Sequence, residues 1–299
     1  MSKGILFFAS NNTNVNYLKI AYANALMCKR NLGKDLSISV ITSSKSIEEN
    51  LNDKSEIEAI FDKIIIDDRT TGADNIRKYS NTQYWSINDK FINTNRNSAY
   101  ALSPYDETLL LDVDFLIQDS SLNNIWGSVE DFMINDQAIG LDHCPLLGEE
   151  YRLNPTGIKM VWATAIYFKK TEQVKLVFDL VSYIRDNWNY YKLLYGFGGY
   201  VFRNDFAFSI ALHILNGFLE NDEFKKLPTP FILTSTDRDC LHKVEKDSIT
   251  IMFNDLGYKN QNHEHAFYIT KIKGHNIHIM NKLSLLKFVD QLIEIYKDE

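Results

Sequence analysis

Short apolar runs alternate with stretches of helical period through the first third of the chain, and this alternation predicts an α/β fold. Residues 4–9 (GILFFA) read as a buried parallel strand. The polar cluster Ser10-Asn11-Asn12-Thr13-Asn14 follows, with turn and N-cap chemistry. Apolar positions at Tyr17, Leu18, Ala21, Ala25, Leu26 and Cys28 then keep helical spacing as far as Gly33. Leu36–Thr42 (LSISVIT) reads as a second strand and Lys63–Ile66 as a third. A strand–helix–strand opening of this Rossmann-like kind binds ligands beyond the carboxyl ends of its strands, which puts the Ser10–Asn14 loop at a binding edge.

The chain is organised around the apolar run 108–117, TLLLDVDFLI, which two carboxylates interrupt. Read as one strand, it places Asp112 and Asp114 on the same face, because side chains alternate with a period of two. Two ionised carboxylates side by side repel, and burying them without a partner is costly. A hard divalent cation such as Mg²⁺ or Mn²⁺ suits such oxygens. The same spacing equally describes a strand that ends in a solvated turn.

Further on, Lys159–Phe168 (KMVWATAIYF) reads as a strand with small residues Ala163, Thr164 and Ala165 at its centre. Small side chains admit close approach of a ligand, or of another element of the fold. Gln173–Trp188 reads as a long helix, and 190–202 as an aromatic-lined loop containing GFGG. Arg203-Asn204-Asp205 precedes the apolar helix Phe206–Leu215, so Asp205 is either functional or an N-cap. Tyr268–Met280 reads as a last strand carrying His275 and His278, and Leu283–Tyr296 as a closing amphipathic helix. No linker or internal repeat divides the 299 residues, so one domain is expected, with 1–126 as one half and 127–299 as the other.

Composition narrows the function classes. A net charge of −7 gives no general electrostatic grip on a polyanion, though a local basic rim is compatible with it. The three cysteines, Cys28, Cys144 and Cys240, have no metal-ligand spacing and read as reduced cytosolic thiols. With no signal-peptide pattern and no uninterrupted apolar span of ~20 residues, a soluble cytoplasmic protein without a membrane partner is expected.

The segment Arg96–Ile117, RNSAYALSPYDETLLLDVDFLI, followed by SSLNNIW, resembles nucleotide-sugar-dependent glycosyltransferases of the GT-A fold. The closest pattern is the retaining family of glycogenin and bacterial lipopolysaccharide galactosyltransferases. Asn204-Asp205 stands where that family has Asp-Gln before an apolar helix. His278-Ile-Met-Asn281-Lys282 stands where it has a His-containing tail that completes a metal site. This chain departs from the family in MVWATAIYF, which replaces an Asn-x-Gly strand, and in lacking the Lys-Pro-Trp end of the tail. The 96–118 block also resembles glycosyltransferase-like proteins of large tailed phages, which would place the chain in the host cytoplasm.

The resemblance implies a Rossmann-like, mostly parallel mixed sheet flanked by helices. It further implies a donor half over 1–126, and an acceptor half over 127–299 with a metal-ligand strand and a closing helix. The donor is a nucleoside-diphosphate sugar, expected to be a UDP-sugar, and the ion is Mn²⁺ or Mg²⁺ on Asp112, Asp114 and either His278 or His275. Ser10, Asn11, Asn12, Tyr17, Arg96, Asp112, Val113 and Lys282 are the implied donor contacts, and Asn204 and Asp205 the catalytic pair. Transfer goes to a hydroxyl acceptor with retention. A hydroxylated or hydroxymethylated pyrimidine of phage DNA is one expected acceptor, and a glycan or small molecule another. Two rivals stay open at this point: a haloacid-dehalogenase-type phosphatase, in which Asp112 is the nucleophile, and a GT-A scaffold that binds a sugar nucleotide without turnover.

Overall fold

The computed structural model describes residues 1–69, 75–82, 85–146, 152, 157–196, 201–219, 225–229, 231–254 and 267–297. Its first unit is strand β1 (Lys3–Phe8), helix α1 (Tyr17–Leu32) and strand β2 (Ser37–Thr42). Five of the six residues of β1 are buried, as a strand covered on both faces requires. Asn16 caps α1, its side chain accepting from Lys19 N. Short helices α2 (Ser44–Glu48) and α3 (Lys54–Ile60) lead to β3 (Lys63–Ile66). A hairpin of β4 (Ile76–Ser80) and β5 (Ser86–Lys90) follows, then α4 (Ala99–Leu102) and β6 (Glu107–Leu111).

The main sheet has the order β3-β2-β1-β6-β10-β8, with β8 at Phe132–Asn135 and β10 at Trp162–Lys169. Strands β3, β2, β1 and β6 are parallel, while β10 runs antiparallel to both its neighbours. Helices α1, α5 (Glu172–Asp186) and α7 (Asn204–Leu215) supply apolar residues to one hydrophobic core with this sheet. The expected α/β class with a mostly parallel mixed sheet is what the chain adopts.

A second, four-stranded sheet runs β7-β15-β11-β9, made of Phe115–Leu116, Ile277–His278, Ile232–Thr234 and Ala138–Ile139. Three further strands, β12 (Cys240–Glu245), β13 (Ser248–Asn254) and β14 (Phe267–Lys273), form an antiparallel sheet. No helix among the described residues is long and apolar enough to cross a membrane.

Four local expectations are corrected. The run 108–117 is not one strand: β6 ends at Leu111, Asp112–Asp114 turn, and β7 resumes in the other sheet. The segment 268–280 is likewise two strands in two sheets, broken at Gly274, whose φ of 65° suits a residue without Cβ. The closing helix is two helices, α8 (Lys282–Leu286) and α9 (Val289–Tyr296). The aromatic segment begins as a helix, α6 (Trp188–Leu194), and Phe197–Gly199 of its GFGG run lie outside the described residues.

Candidate active site

The break after β6 makes the site. Leu111 still pairs with Ala165 of β10, and Asp112 N donates to Thr164 O at 2.8 Å. The chain then turns, Phe115 N closing on Asp112 O at 3.1 Å. It enters the second sheet with Phe115 opposite His278 and Ile279 N donating to Asp114 O at 2.8 Å. This strand register sets His278 beside the two carboxylates. One ligand atom from each of Asp112, Asp114 and His278 lies within 4.8 Å of the others. His275 is exposed and outside this group, so the choice between the two histidines falls on His278.

The turn is held from behind by Asn24, a fully buried residue of α1. Its Nδ2 donates to Val113 O at 3.1 Å and to Phe115 O at 2.7 Å, while its Oδ1 accepts from Ile117 N at 3.2 Å. Three backbone groups that no strand partner serves are thus satisfied by one side chain.

Two basic side chains neutralise the carboxylates. Arg96, 6% exposed, pairs with Asp112 and donates to Ala163 O of β10. Lys282 Nζ lies 2.6 Å from Asp114 Oδ2, and His278 Nε2 lies 3.3 Å from the same oxygen and 3.9 Å from Asp112 Oδ2. This buried oxygen thus has two basic neighbours, the ammonium in direct contact. Burial alone would raise the Asp114 pKa, but Lys282 and His278 outweigh it and hold the carboxyl well below the usual range. Burial pushes the Arg96 guanidinium down to about 10, with Asp205 and Asp114 opposing that shift.

Asp205 sits in the first turn of α7 but does not cap it. Its Oδ1 accepts from Ala163 N at 2.9 Å, and its Oδ2 takes Arg203 at 2.9 Å. Burial would raise its pKa, and Arg203 and the Ala163 amide overcome that to lower it. The small residues of β10 therefore serve the close approach of Arg96 and Asp205 to its backbone.

These groups line a cavity of about 400 Å³. Of the sequence-derived candidates, Tyr17, Arg96, Val113, Asn204, Asp205 and Lys282 face it together with the Asp112–Asp114–His278 cluster. Tyr17 and Val113 are spent internally. The Tyr17 hydroxyl lies 3.1 Å from that of Tyr79, burial raising its pKa, and the Val113 carbonyl goes to Asn24. Three buried side-chain polar atoms on the wall of this cavity have neither a hydrogen-bond nor an ion-pair partner among the described residues. They are Arg96 Nε, Trp162 Nε1 and Asn204 Oδ1, a set that calls for a ligand with both donors and acceptors.

Ser10, Asn11 and Asn12 line a second cavity of about 300 Å³, which shares Phe8 and Asn93 with the first. As free base-binding amides the two asparagines are a correction. Asn11 Oδ1 accepts from Leu18 N and its Nδ2 donates to Glu49. Asn12 Nδ2 donates to Tyr79 and to Lys90 O, and its Oδ1 accepts from Val15 N. Both brace the loop instead, because a buried amide must satisfy both its ends.

Sequence reasoning passed over Asn24, Trp162 and Arg77. Arg77, on β4, stacks over Phe91 at 3.7 Å from the ring centroid and has no carboxylate partner among the described residues. Burial and the nearby Arg203 lower its pKa. It brings a guanidinium without an ion-pair partner among the described residues to the wall of the larger cavity.

The cluster's donor set of two carboxylates and one imidazole fits a divalent ion of the Mn²⁺ or Mg²⁺ kind.

No family model matches the chain, and no curated protein does. Among solved structures, it is similar to the galactosyltransferase LgtC in complex with donor and acceptor sugar analogs. There the identity is 16% over 70% of each chain, with a TM-score of 0.44. An active-site mutant of LgtC matches at 13% identity over 70% of this chain and 69% of that one, with a TM-score of 0.42. The glycosyltransferase GlyE of Streptococcus pneumoniae TIGR4 matches at 14% identity over 75% of this chain, with a TM-score of 0.38. This chain spans 45% of the GlyE chain, less than half its length. All three likenesses are at low identity.

Proposed function

We propose that the chain is a metal-dependent glycosyltransferase that moves a sugar from a nucleoside-diphosphate sugar to a hydroxyl acceptor with retention. The observation that carries this reading is the Asp112–Asp114–His278 cluster, set with Arg96 and Lys282 on a cavity whose wall also holds Asn204 and Asp205. Asp112, Asp114 and His278 would hold the ion, Mn²⁺ or Mg²⁺. When bound, it supplies a Lewis acid against the charge that develops on the departing diphosphate.

The chain's own groups take the remaining work. Lys282 and Arg77 offer cations to phosphate oxygens, through charge-assisted hydrogen bonds. The adjoining cavity past β1 is of a size and place for the nucleoside, taken here as uridine. Asn204 Oδ1, unpartnered in the wall, accepts from a sugar hydroxyl. Asp205, fixed by Ala163 N and Arg203, orients the sugar and the acceptor near the anomeric carbon without acting as a covalent nucleophile.

A phosphatase reading needs a free Asp112 nucleophile, and here that carboxylate is clamped by Arg96. The test is a thermal-shift screen of nucleoside diphosphates and their sugars with and without Mn²⁺, followed by product analysis. The acceptors offered are simple sugars, oligosaccharides and DNA carrying hydroxymethylated pyrimidine. At a hundred times its dissociation constant a ligand stabilises by about 2.7 kcal/mol. A Mn²⁺-dependent shift, lost in Asp114→Asn, is expected. Absence of any nucleotide-dependent shift refutes the reading, donor binding with no transfer or hydrolysis favours a scaffold, and an inverted product refutes retention.

A further inference from the structure

The charges of the candidate metal cluster are balanced by the chain's own side chains. Two carboxylates, Asp112 and Asp114, face two fixed cations, Arg96 and Lys282. The two cations are held very differently. Arg96 is buried and tied also to Ala163 O, so it cannot leave without breaking a second buried bond. Lys282 opens the short helix α8, just past the cap residue Asn281, and Asp114 is the one carboxylate within ion-pair distance among the described residues. Its Nζ stands 2.6 Å from Asp114 Oδ2, the same oxygen that His278 Nε2 approaches at 3.3 Å.

A divalent ion shared by Asp114 and His278 must lie against that oxygen. An ammonium in contact with it occupies the approach and repels the incoming charge. Lys282 therefore has to move for the ion to bind, and moving it into the cavity strips it of its counter-charge. A diphosphate supplies the missing anion. It gives the ammonium a new partner and at the same time adds oxygen ligands beside the cluster.

We propose that Lys282 is the resident counter-ion of Asp114 and is handed over to the donor's diphosphate, so that ion and diphosphate enter as a cooperative pair. This rests on the donor-binding reading above and adds an order to it: the ion alone binds weakly, and the nucleotide unlocks its site. By linkage, the factor by which diphosphate tightens the ion equals the factor by which the ion tightens diphosphate, about 5- to 150-fold in typical couplings.

The experiment is a Mn²⁺ titration of the full-length chain, followed by the electron paramagnetic resonance signal of free Mn²⁺ with no phosphate compound present. Wild type, Lys282→Met, Lys282→Gln and Asp114→Asn are compared, with circular dichroism establishing that each is folded. Both Lys282 variants should bind Mn²⁺ about tenfold more tightly than wild type, or better. Their melting temperatures should also rise more on adding Mn²⁺, because their Asp114 lacks a cation until the ion arrives. Asp114→Asn should bind none. With uridine diphosphate added, wild type should gain more Mn²⁺ affinity than either Lys282 variant. Equal or weaker Mn²⁺ binding by the Lys282 variants, with wild type binding well, overturns the handover and leaves the metal site standing. Failure of every variant to hold Mn²⁺ overturns both.

Discussion

Asn24 offers the sharpest test of how the fold builds the site, because it touches no candidate ligand atom and yet holds the turn that carries two of them. Asn24→Leu keeps the approximate volume and removes all three hydrogen bonds. The carbonyls of Val113 and Phe115 and the amide of Ile117 are then left without that partner, in a region where Val113, Phe115 and Ile117 are at most 3% exposed. Each unsatisfied buried group costs about 1–3 kcal/mol, so a loss of about 3–9 kcal/mol follows if the turn does not rearrange. Unfolding entropy scales with length, so for a chain of 299 residues this lowers the melting temperature by roughly 5–14 °C. Asn24→Asp makes the complementary case. Its carboxylate can still accept from Ile117 N, but it faces two carbonyl oxygens, and the variant should be less stable at pH 7 than at pH 5. The sign follows from linkage: a carboxyl whose pKa is raised in the fold loses stability as pH rises through the raised value. Chemical denaturation of the three proteins at both pH values reads the effect. A wild-type-like Asn24→Leu, within about 1 kcal/mol, would show that the turn is held by its strand contacts alone and refute the reasoning.

Two further outcomes follow from the same geometry. Arg96→Met leaves Asp112 without its buried partner and should destabilise by about 3–5 kcal/mol, with Arg96→Lys recovering part, since an ammonium cannot fork between Asp112 and Ala163 O; thermal melts that place Arg96→Met beside wild type would contradict this. Asp239, raised to about 6 by burial with Asp237 adding and the Thr236 amide opposing, makes the fold lose stability as pH climbs from about 4 to about 6. Across that window wild type should lose about 3 kcal/mol relative to Asp239→Asn, whose amide oxygen can still accept from Thr236 N. Parallel pH dependences of the two proteins in urea denaturation would show that Asp239 ionises freely.

Burial on both faces made several strands legible in the sequence. Strands β1 and β2, and β6 as far as Leu111, read correctly because both faces are covered and the run must be apolar throughout. The hairpin β4–β5 escaped notice for the opposite reason. IRKYS and SINDK are half-exposed strands with few apolar positions, and no clean alternation marks them. Arg77 went unnoticed with them, since what singles it out is the Phe91 ring beneath it and its place on the cavity wall. The carboxylate pair was visible as polar residues inside an apolar run. That they lie on a turn rather than a strand was not, because period-two spacing cannot tell a strand from a strand that breaks and restarts. Asn24 was hidden in an otherwise apolar helix stripe, where one amide looks like a surface position. Its role depends on backbone groups almost a hundred residues later in the chain, and pattern reading does not reach that far.

The site lies where two sheets meet, and this explains why its charges are so closely balanced. Asp112 belongs to the end of the main sheet through Thr164, while Asp114 belongs to the second sheet through Ile279. Arg96 and Asp205 reach the backbone of β10 from the main-sheet side, and His278 and Lys282 come with β15 and α8 from the other. Each carboxylate of the cluster is thus countered by a cation supplied from its own side of the junction: Asp112 by Arg96, Asp114 by Lys282. Such pairing offsets the electrostatic cost of setting a buried and a half-buried carboxylate side by side at the junction. The same arrangement means that a charged ligand entering the cavity must re-sort these pairs, and the side chain freest to move sets which pair opens. Arg96 is pinned twice and Lys282 once, so the second-sheet side opens first, at Asp114.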